Sequence, residues 1–153
     1  MKMPPEYIHA QENMTPGKIT ADGFLGNDMR PLVDIIEADE ERLASLALTF
    51  EGIAERLEFL SEEGRKGLGD AITVEGKWLV QVNEARGFLP CPFEDGIFRK
   101  ITTVVTYIRG NQRIMYSDLS LHLLKAHHFL EGKGSSFRLE PEELAKILGP
   151  KKL

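Results

Sequence analysis

The fold of this chain is decided by residues 71–83, AITVEGKWLVQVN, and by residues 97–116, IFRKITTVVTYIRGNQRIMY. In the first stretch apolar and polar residues alternate around Trp78, as they do in strands with one buried face, and Glu75-Gly76 divides the stretch in two. The second stretch is rich in β-branched and aromatic residues, and Gly110-Asn111 is a hairpin-turn signal. Together they predict four consecutive antiparallel strands, at 71–74, 77–83, 97–108 and 113–116.

A long helical pattern precedes these strands. Apolar residues from Ile36 to Leu60 recur at spacings of three and four, which predicts a helix over residues 31–63 with one apolar stripe. We expect the stripe to cover the sheet of its own chain, although such a stripe could also join two subunits in a homodimer. Thr49 has the side chain of a helix N-cap, so the pattern leaves open whether 31–63 is one helix or two.

Two shorter helices follow the strands. Ser117 is a suitable N-cap for a helix over residues 117–131, and Asp118 in its first turn suits the helix dipole. Pro141 begins a last helix, which Gly149-Pro150 ends. We therefore expect an α+β fold: an antiparallel meander of about four strands, covered on one face by one long helix and two shorter C-terminal helices.

The composition is that of one globular domain. The chain has 153 residues, of which 42% are hydrophobic and 28% are charged, and this length can close a hydrophobic core without disulfides or metal. Prolines and glycines interrupt every periodic pattern in residues 1–30. We expect an irregular N-terminal arm at 1–30 and a single α+β domain at 31–153.

Charge and cysteine content narrow the partners and the compartment. A net charge of −5 disfavours binding to nucleic acid, because few cations are in excess to neutralise phosphates. A single cysteine cannot form an internal disulfide, which suits a reducing cytoplasm. No apolar run approaches the roughly 20 residues that span a bilayer, so we expect a soluble cytoplasmic protein without membrane contact.

The residue types that bind metals are concentrated after residue 90. Cys91 stands between two prolines, which display it on a stiff extended segment. The pattern Leu119-x2-His122-x4-His127 resembles the helical half of a Cys2His2 zinc finger, but no Cys pair stands just upstream. The residues therefore suggest a zinc site of Cys91, His122 and His127 or His128, with a carboxylate or water as the fourth ligand. On an ideal helix, two residues five apart point about 140° away from each other, so shared ligation requires local distortion.

Two alternative functions follow from the same region and from the long helical pattern. Cys91, His122 and Asp118 could form a nucleophilic arrangement, with the carboxylate orienting the imidazole and the imidazole activating the thiol. No glycine-rich oxyanion turn surrounds Cys91, so the residues favour a non-enzymatic role. Residues 48–57 look like the second helix of a helix-turn-helix, which would make the protein a DNA-binding regulator. The acidic and glycine-rich residues that follow are unlike a recognition helix.

A glycine-rich loop after the predicted 117–131 helix adds a candidate anion contact. Lys133, Ser135 and Arg138 could bind an anion there, although phosphate loops normally precede a helix. The function that these observations favour is a small binding or interaction module. Its site would lie where the Cys91 loop approaches the 117–131 helix, with zinc as the cofactor that the residue types would accept and a protein or a small molecule as partner.

Overall fold

The computed structural model describes residues 3–149. Met1, Lys2 and residues 150–153, which belong to the predicted arm and to the end of the predicted domain, lie outside the described residues. The described part contains these helices and strands in chain order: α1 (Pro5–Asn13), α2 (Leu32–Ser45), α3 (Phe50–Arg65), β1 (Ile72–Val74), β2 (Trp78–Pro90), β3 (Ile97–Tyr107), β4 (Arg113–Ser117), α4 (Asp118–His127) and α5 (Pro141–Leu148).

The four strands form one antiparallel meander in the order β1-β2-β3-β4, which confirms the predicted α+β class. Glu75 and Gly76, two of the three residues between β1 and β2, have φ angles of 53° and 68°, the left-handed conformation common in tight hairpin turns. The connection between β3 and β4 is longer than the predicted two-residue turn. It runs from Ile108 to Gln112, with Asn111 in the left-handed conformation.

Strand β2 is longer than the sequence pattern indicated. It continues beyond Asn83 to Pro90 and stays paired with β3, although the register breaks between Glu84 and Phe88. The alternation of buried and exposed residues stops at Val82: residues 83–88 are all exposed, and Leu89 is the one half-buried residue in the rest of β2. The second half of the hairpin is therefore an arm that leaves the main core and ends in the loop after Pro90.

The region 31–63 is two helices rather than one. α2 ends at Ser45, Ala47 takes a left-handed φ of 61°, and the Thr49 hydroxyl accepts a hydrogen bond from the Gly52 N–H at 3.0 Å to cap α3. The apolar stripe crosses the break, so its periodicity does not reveal it. The N-terminal residues 1–30, which the sequence predicted to be irregular, contain helix α1.

Two hydrophobic clusters organise the molecule. The larger one lies between the sheet, α3 and α5, and buries most of the apolar stripe of α3 inside this chain. The smaller one joins the N-terminal segment to α2 and α4. Its buried members are Ala10, Met14, Phe24, Leu32, Ile35, Cys91, Leu119, Leu123 and Phe129. The only cysteine of the chain is thus part of the second cluster.

Candidate metal centre

The loop at the end of the β2–β3 hairpin holds Cys91 in a defined turn. The Cys91 N–H donates to the Gly96 carbonyl at 2.9 Å, and the Glu94 N–H donates to the Cys91 carbonyl at 2.8 Å. The Phe93 N–H points at the Cys91 sulfur, with a nitrogen–sulfur distance of 3.4 Å. This turn folds the loop back so that Asp95, four residues after the cysteine, lies beside the thiol.

Two histidines of α4 reach the same loop. His122 Nε2 lies 2.9 Å from Asp95 Oδ1, and His127 Nε2 lies 2.7 Å from Asp95 Oδ2. The imidazole planes are inclined at 81° to each other, with ring centroids 5.3 Å apart. Two residues five apart on an ideal helix point about 140° away from each other. Both imidazoles still reach Asp95, because each contacts a different oxygen of its carboxylate.

Aromatic side chains hold both imidazoles in place. Phe93 of the loop stacks on His127 with ring centroids 3.8 Å apart and planes inclined by 9°. Phe98 of β3 lies against His122 with centroids 4.3 Å apart. Both rings are largely shielded, with 19% of the His122 side chain and 17% of the His127 side chain exposed. The rings therefore have little freedom to turn away from the loop.

The four side chains form one compact group. Cys91, Asp95, His122 and His127 each offer one ligand atom, and these atoms lie within 4.8 Å of one another. In a tetrahedral zinc site with bonds of about 2.0–2.3 Å, neighbouring ligand atoms are roughly 3.3–3.8 Å apart. The contacts of Asp95 with the two imidazoles, at 2.7 and 2.9 Å, are shorter than that spacing, so these atoms would move apart around an ion.

The protonation behaviour of the group reflects its burial and its internal contacts. Burial, together with the nearby Asp95 carboxylate, raises the pKa of the Cys91 thiol to about 12. Burial acts to raise the pKa of Asp95 as well, but hydrogen bonds from the thiol and the imidazoles hold that pKa well below its usual range. Burial lowers the pKa of His127 against the opposing pull of Asp95. A neutral imidazole is the form that binds a metal.

Helix α1 contacts the Cys91 loop through two polar contacts and one aromatic contact. His9 Nε2 lies 2.6 Å from a Glu94 carboxylate oxygen, and the Asn13 side chain donates to the Pro92 carbonyl at 2.8 Å. The ring of Tyr7 meets Phe93 edge-on, with centroids 5.7 Å apart. The N-terminal segment thus holds the loop from one side while α4 holds it from the other.

The structure brings together three of the four residues suggested as metal ligands and separates the fourth. His128 has a left-handed φ of 56°, stacks on Phe50 with ring centroids 4.7 Å apart, and lies 3.6 Å from Glu51. Asp95 was not among the named candidates. The signal for it was its position in the Cys91 loop, because the hairpin brings Asp95 back beside the cysteine.

The predicted pairing of Asp118 with His122 does not occur. Asp118 pairs with Arg65 of α3 at 3.1 Å, while His122 pairs with Asp95. Asp118 therefore cannot orient His122 in the alternative nucleophilic arrangement, because the carboxylate that contacts His122 is Asp95. Cys91 is also only 1% exposed, and its raised pKa keeps the thiol protonated at neutral pH, which opposes a nucleophilic role.

The candidate anion contact of Lys133, Ser135 and Arg138 is not supported, because the Arg138 guanidinium is already paired. The Arg138 guanidinium makes a buried two-pronged ion pair with Asp39 at 2.6 and 2.8 Å, and it also pairs with Glu140 at 3.0 Å. The Ser135 hydroxyl donates to a Glu131 carboxylate oxygen at 2.6 Å. Arg138 therefore joins α2 to the loop before α5 instead of facing an open anion site.

The helix-turn-helix alternative gains no basic surface from the structure. Helix α3 exposes Glu51, Glu55 and Glu62, and Glu58 is half-buried, so its outer face is acidic. A helix that enters a DNA groove needs cations against the phosphates.

None of the helices within residues 3–149 has the length and apolar character needed to cross a bilayer.

Comparison with protein-family models, with curated proteins and with solved structures gave no match to this chain.

Proposed function

We propose that this protein is a zinc-binding module in which Cys91, Asp95, His122 and His127 hold one ion. The observation that carries the proposal is the convergence of a thiol, a carboxylate and two imidazoles within 4.8 Å. Sulfur and imidazole nitrogen ligands with one carboxylate oxygen suit zinc among the common biological divalent metals, and four protein ligands suit its tetrahedral preference.

Bound zinc would change the protonation of the thiol. A divalent cation stabilises the thiolate form of Cys91 and the Asp95 carboxylate, so Cys91 would lose its proton around the ion although burial raises its pKa in the metal-free group. The Phe93 N–H beside the sulfur is placed to stabilise a thiolate ligand in the way that outer-shell donors do. The surroundings therefore fit a metal-bound cysteine.

The role of the ion follows from the number of protein ligands. Four side chains complete a tetrahedral shell, which is the pattern of structural sites, whereas catalytic zinc keeps one position for water or substrate. Two ligands come from the hairpin loop and two from α4, so the ion would fasten the exposed β2–β3 arm to the helix. The surface that the arm and α1 form together would then be the interaction surface of the module.

The first prediction is metal content. Protein purified with zinc and dialysed against metal-free buffer should retain about one equivalent, measured by mass spectrometry of the metal. Cys91→Ser and His127→Ala should lose most of the metal and melt at lower temperature, because metal binding is coupled to folding. His128→Asn is the matched control, since His128 is the neighbour of a ligand and lies outside the group. It should retain the metal.

Cobalt gives a readout that does not depend on variants that fail to fold. Cobalt-loaded wild-type protein should show the visible bands of a tetrahedral ion and a thiolate-to-cobalt charge-transfer band. Equal metal content in wild type and Cys91→Ser, or an octahedral cobalt spectrum in the wild type, would contradict the proposal.

A further inference from the structure

A second candidate site lies away from the four proposed zinc ligands. A cavity of about 450 Å³ opens between the segment 19–24, the β2–β3 arm, the first turn of α4 and the loop 131–137. This volume lies within the range of small-molecule pockets, roughly 300–1,000 Å³. None of the zinc ligands lines it, so the cavity needs an explanation of its own.

The wall of the cavity is largely apolar. Phe24, Leu119 and Phe137 come from three separate segments and line the same space. Phe24 and Leu119 also belong to the second hydrophobic cluster, so this wall is anchored in a packed core. A wall of this kind provides a fixed apolar surface for the body of a small molecule.

One buried carboxyl group also lines the cavity. Glu131 is 3% exposed, has a left-handed φ of 70°, and accepts hydrogen bonds from the hydroxyls of Ser135 at 2.6 Å and Ser120 at 3.3 Å. One hydroxyl on each oxygen leaves lone pairs free, so Glu131 can accept a further hydrogen bond with or without its own proton. Buried carboxyls and left-handed backbone at non-glycine residues both cost stability, and such features cluster at functional sites.

One cation remains available at the cavity. Lys100 of β3 lines it, whereas Arg99, the preceding residue of the same strand, points to the opposite face and pairs with Glu84 at 3.2 Å. The positive charge of Lys100 lies next to an apolar wall, where an anion is less screened than in bulk water. A ligand with an anionic group would therefore gain more here than at an ordinary surface lysine.

From these features we infer that the cavity binds a small organic anion. Its apolar body would lie against Phe24 and Leu119, its anionic group would meet Lys100, and a hydroxyl or N–H group would donate to Glu131. This inference does not rest on the zinc proposal, because the two sets of residues are separate. Either could fail without the other.

The probe is 8-anilinonaphthalene-1-sulfonate, which combines a sulfonate, an aromatic body and one N–H group. Wild-type protein, with or without added zinc, should bind one equivalent saturably, with enhanced and blue-shifted fluorescence. Ala85→Trp, at an exposed position that lines the cavity, should abolish this binding by filling the space. Leu79→Trp is the matched control, because Leu79 is also exposed on β2 and does not line the cavity.

Charge removal tests the anion. Lys100→Ala should bind the probe at least roughly tenfold more weakly, because a charge-assisted hydrogen bond is lost. The control Lys146→Ala removes one exposed cation from elsewhere and should bind like wild type. Unchanged near-ultraviolet circular dichroism would show that each variant keeps its packing, which matters because the probe also binds loosened proteins.

Amide chemical shifts locate the probe directly. In a titration of labelled protein, the largest changes should centre on Glu131, Ser135 and Leu119. The inference is overturned by any of three results: binding that does not saturate, equal affinity in the cavity variants and their controls, or shift changes centred on another face.

Discussion

At the scale of single residues, Glu131 is a group whose ionisation opposes folding. Burial raises its pKa to about 7, against hydrogen bonds from Ser135 and Ser120 and the positive charge of Arg138, which act to lower it. The folded protein therefore keeps this proton at a pH where the unfolded chain, with an ordinary carboxyl pKa of 4.5, has released it. The free energy of unfolding of the wild type should therefore fall as the pH rises from 4.5 to about 7.

Replacement of Glu131 by Gln should remove this fall in stability with rising pH. Between pH 4.5 and pH 7 the free energy of unfolding of Glu131→Gln should rise relative to wild type by up to roughly 3 kcal/mol, because glutamine does not titrate. Below that window the difference between the two proteins should be constant. Urea unfolding at a series of pH values measures it. A difference independent of pH would mean that Glu131 titrates normally.

Cys91 and Asp95 differ in how far the sequence predicts their place in the proposed site. Cys91 was a candidate ligand from the sequence, because a cysteine and two histidines are residue types that suit zinc. They did not name the carboxylate, since acidic residues are common and only the turn from Cys91 to Gly96 brings one of them against the thiol.

At the scale of elements, the contact between α3 and β2 depends on one glycine. A Cβ atom on Gly64 would lie 2.5 Å from Val80 Cγ1 and 2.8 Å from Val82 Cγ2. Both valines are buried and stiff at χ1, so neither side chain can move away easily. The last turn of α3 can approach the sheet this closely only without a side chain.

Gly64→Ala should therefore destabilise the protein although alanine is the better helix former. We expect a loss of about 1–3 kcal/mol in the free energy of unfolding, which is the usual cost of overpacking a core. Glu62→Ala, on the exposed face of the same helix, should change stability by no more than about 0.5 kcal/mol. Urea unfolding of both variants is the measurement, and equal stabilities would show that the sheet yields to the added methyl group.

At the scale of the whole molecule, the two hydrophobic clusters depend differently on the proposed ion. The larger cluster is built from the sheet, α3 and α5 and includes none of the four ligands. The smaller cluster includes Cys91, and the loop that carries it is held by α1 through His9 and Asn13. Loss of the ion should loosen the second cluster and leave the first intact.

Hydrogen exchange after chelation tests this division. Amides in residues 5–13 and 91–96 should exchange faster in chelator-treated protein than in zinc-loaded protein, because the loop would lose its link to α4. Amides of α3 and of residues 78–82 should keep their protection, since the larger cluster holds them. Faster exchange everywhere would mean that the ion supports the whole fold, and no change would mean that it supports neither cluster.

The antiparallel meander was readable from residues 71–116 because both of its signals are local. Alternation around Trp78 reports one buried face, and turn residues such as Glu75-Gly76 report where the chain reverses. Thr49 left the break between α2 and α3 open, because a cap acts only on the next few N–H groups and the apolar stripe continues past it. The residue types of Cys91, His122 and His127 suggested a zinc site, which stays a proposal.

Tertiary structure alone decided which of these residues meet. Cys91 and His122 are far apart in the chain, and their approach depends on a hairpin arm in which residues 83–88 are all exposed and so carry no period of burial. The choice of Asp95 among many carboxylates, the pairing of Asp118 with Arg65 and the placing of Glu131 in a cavity wall depend in the same way on packing between distant segments. A local pattern records which face of an element is buried, but not which other element buries it.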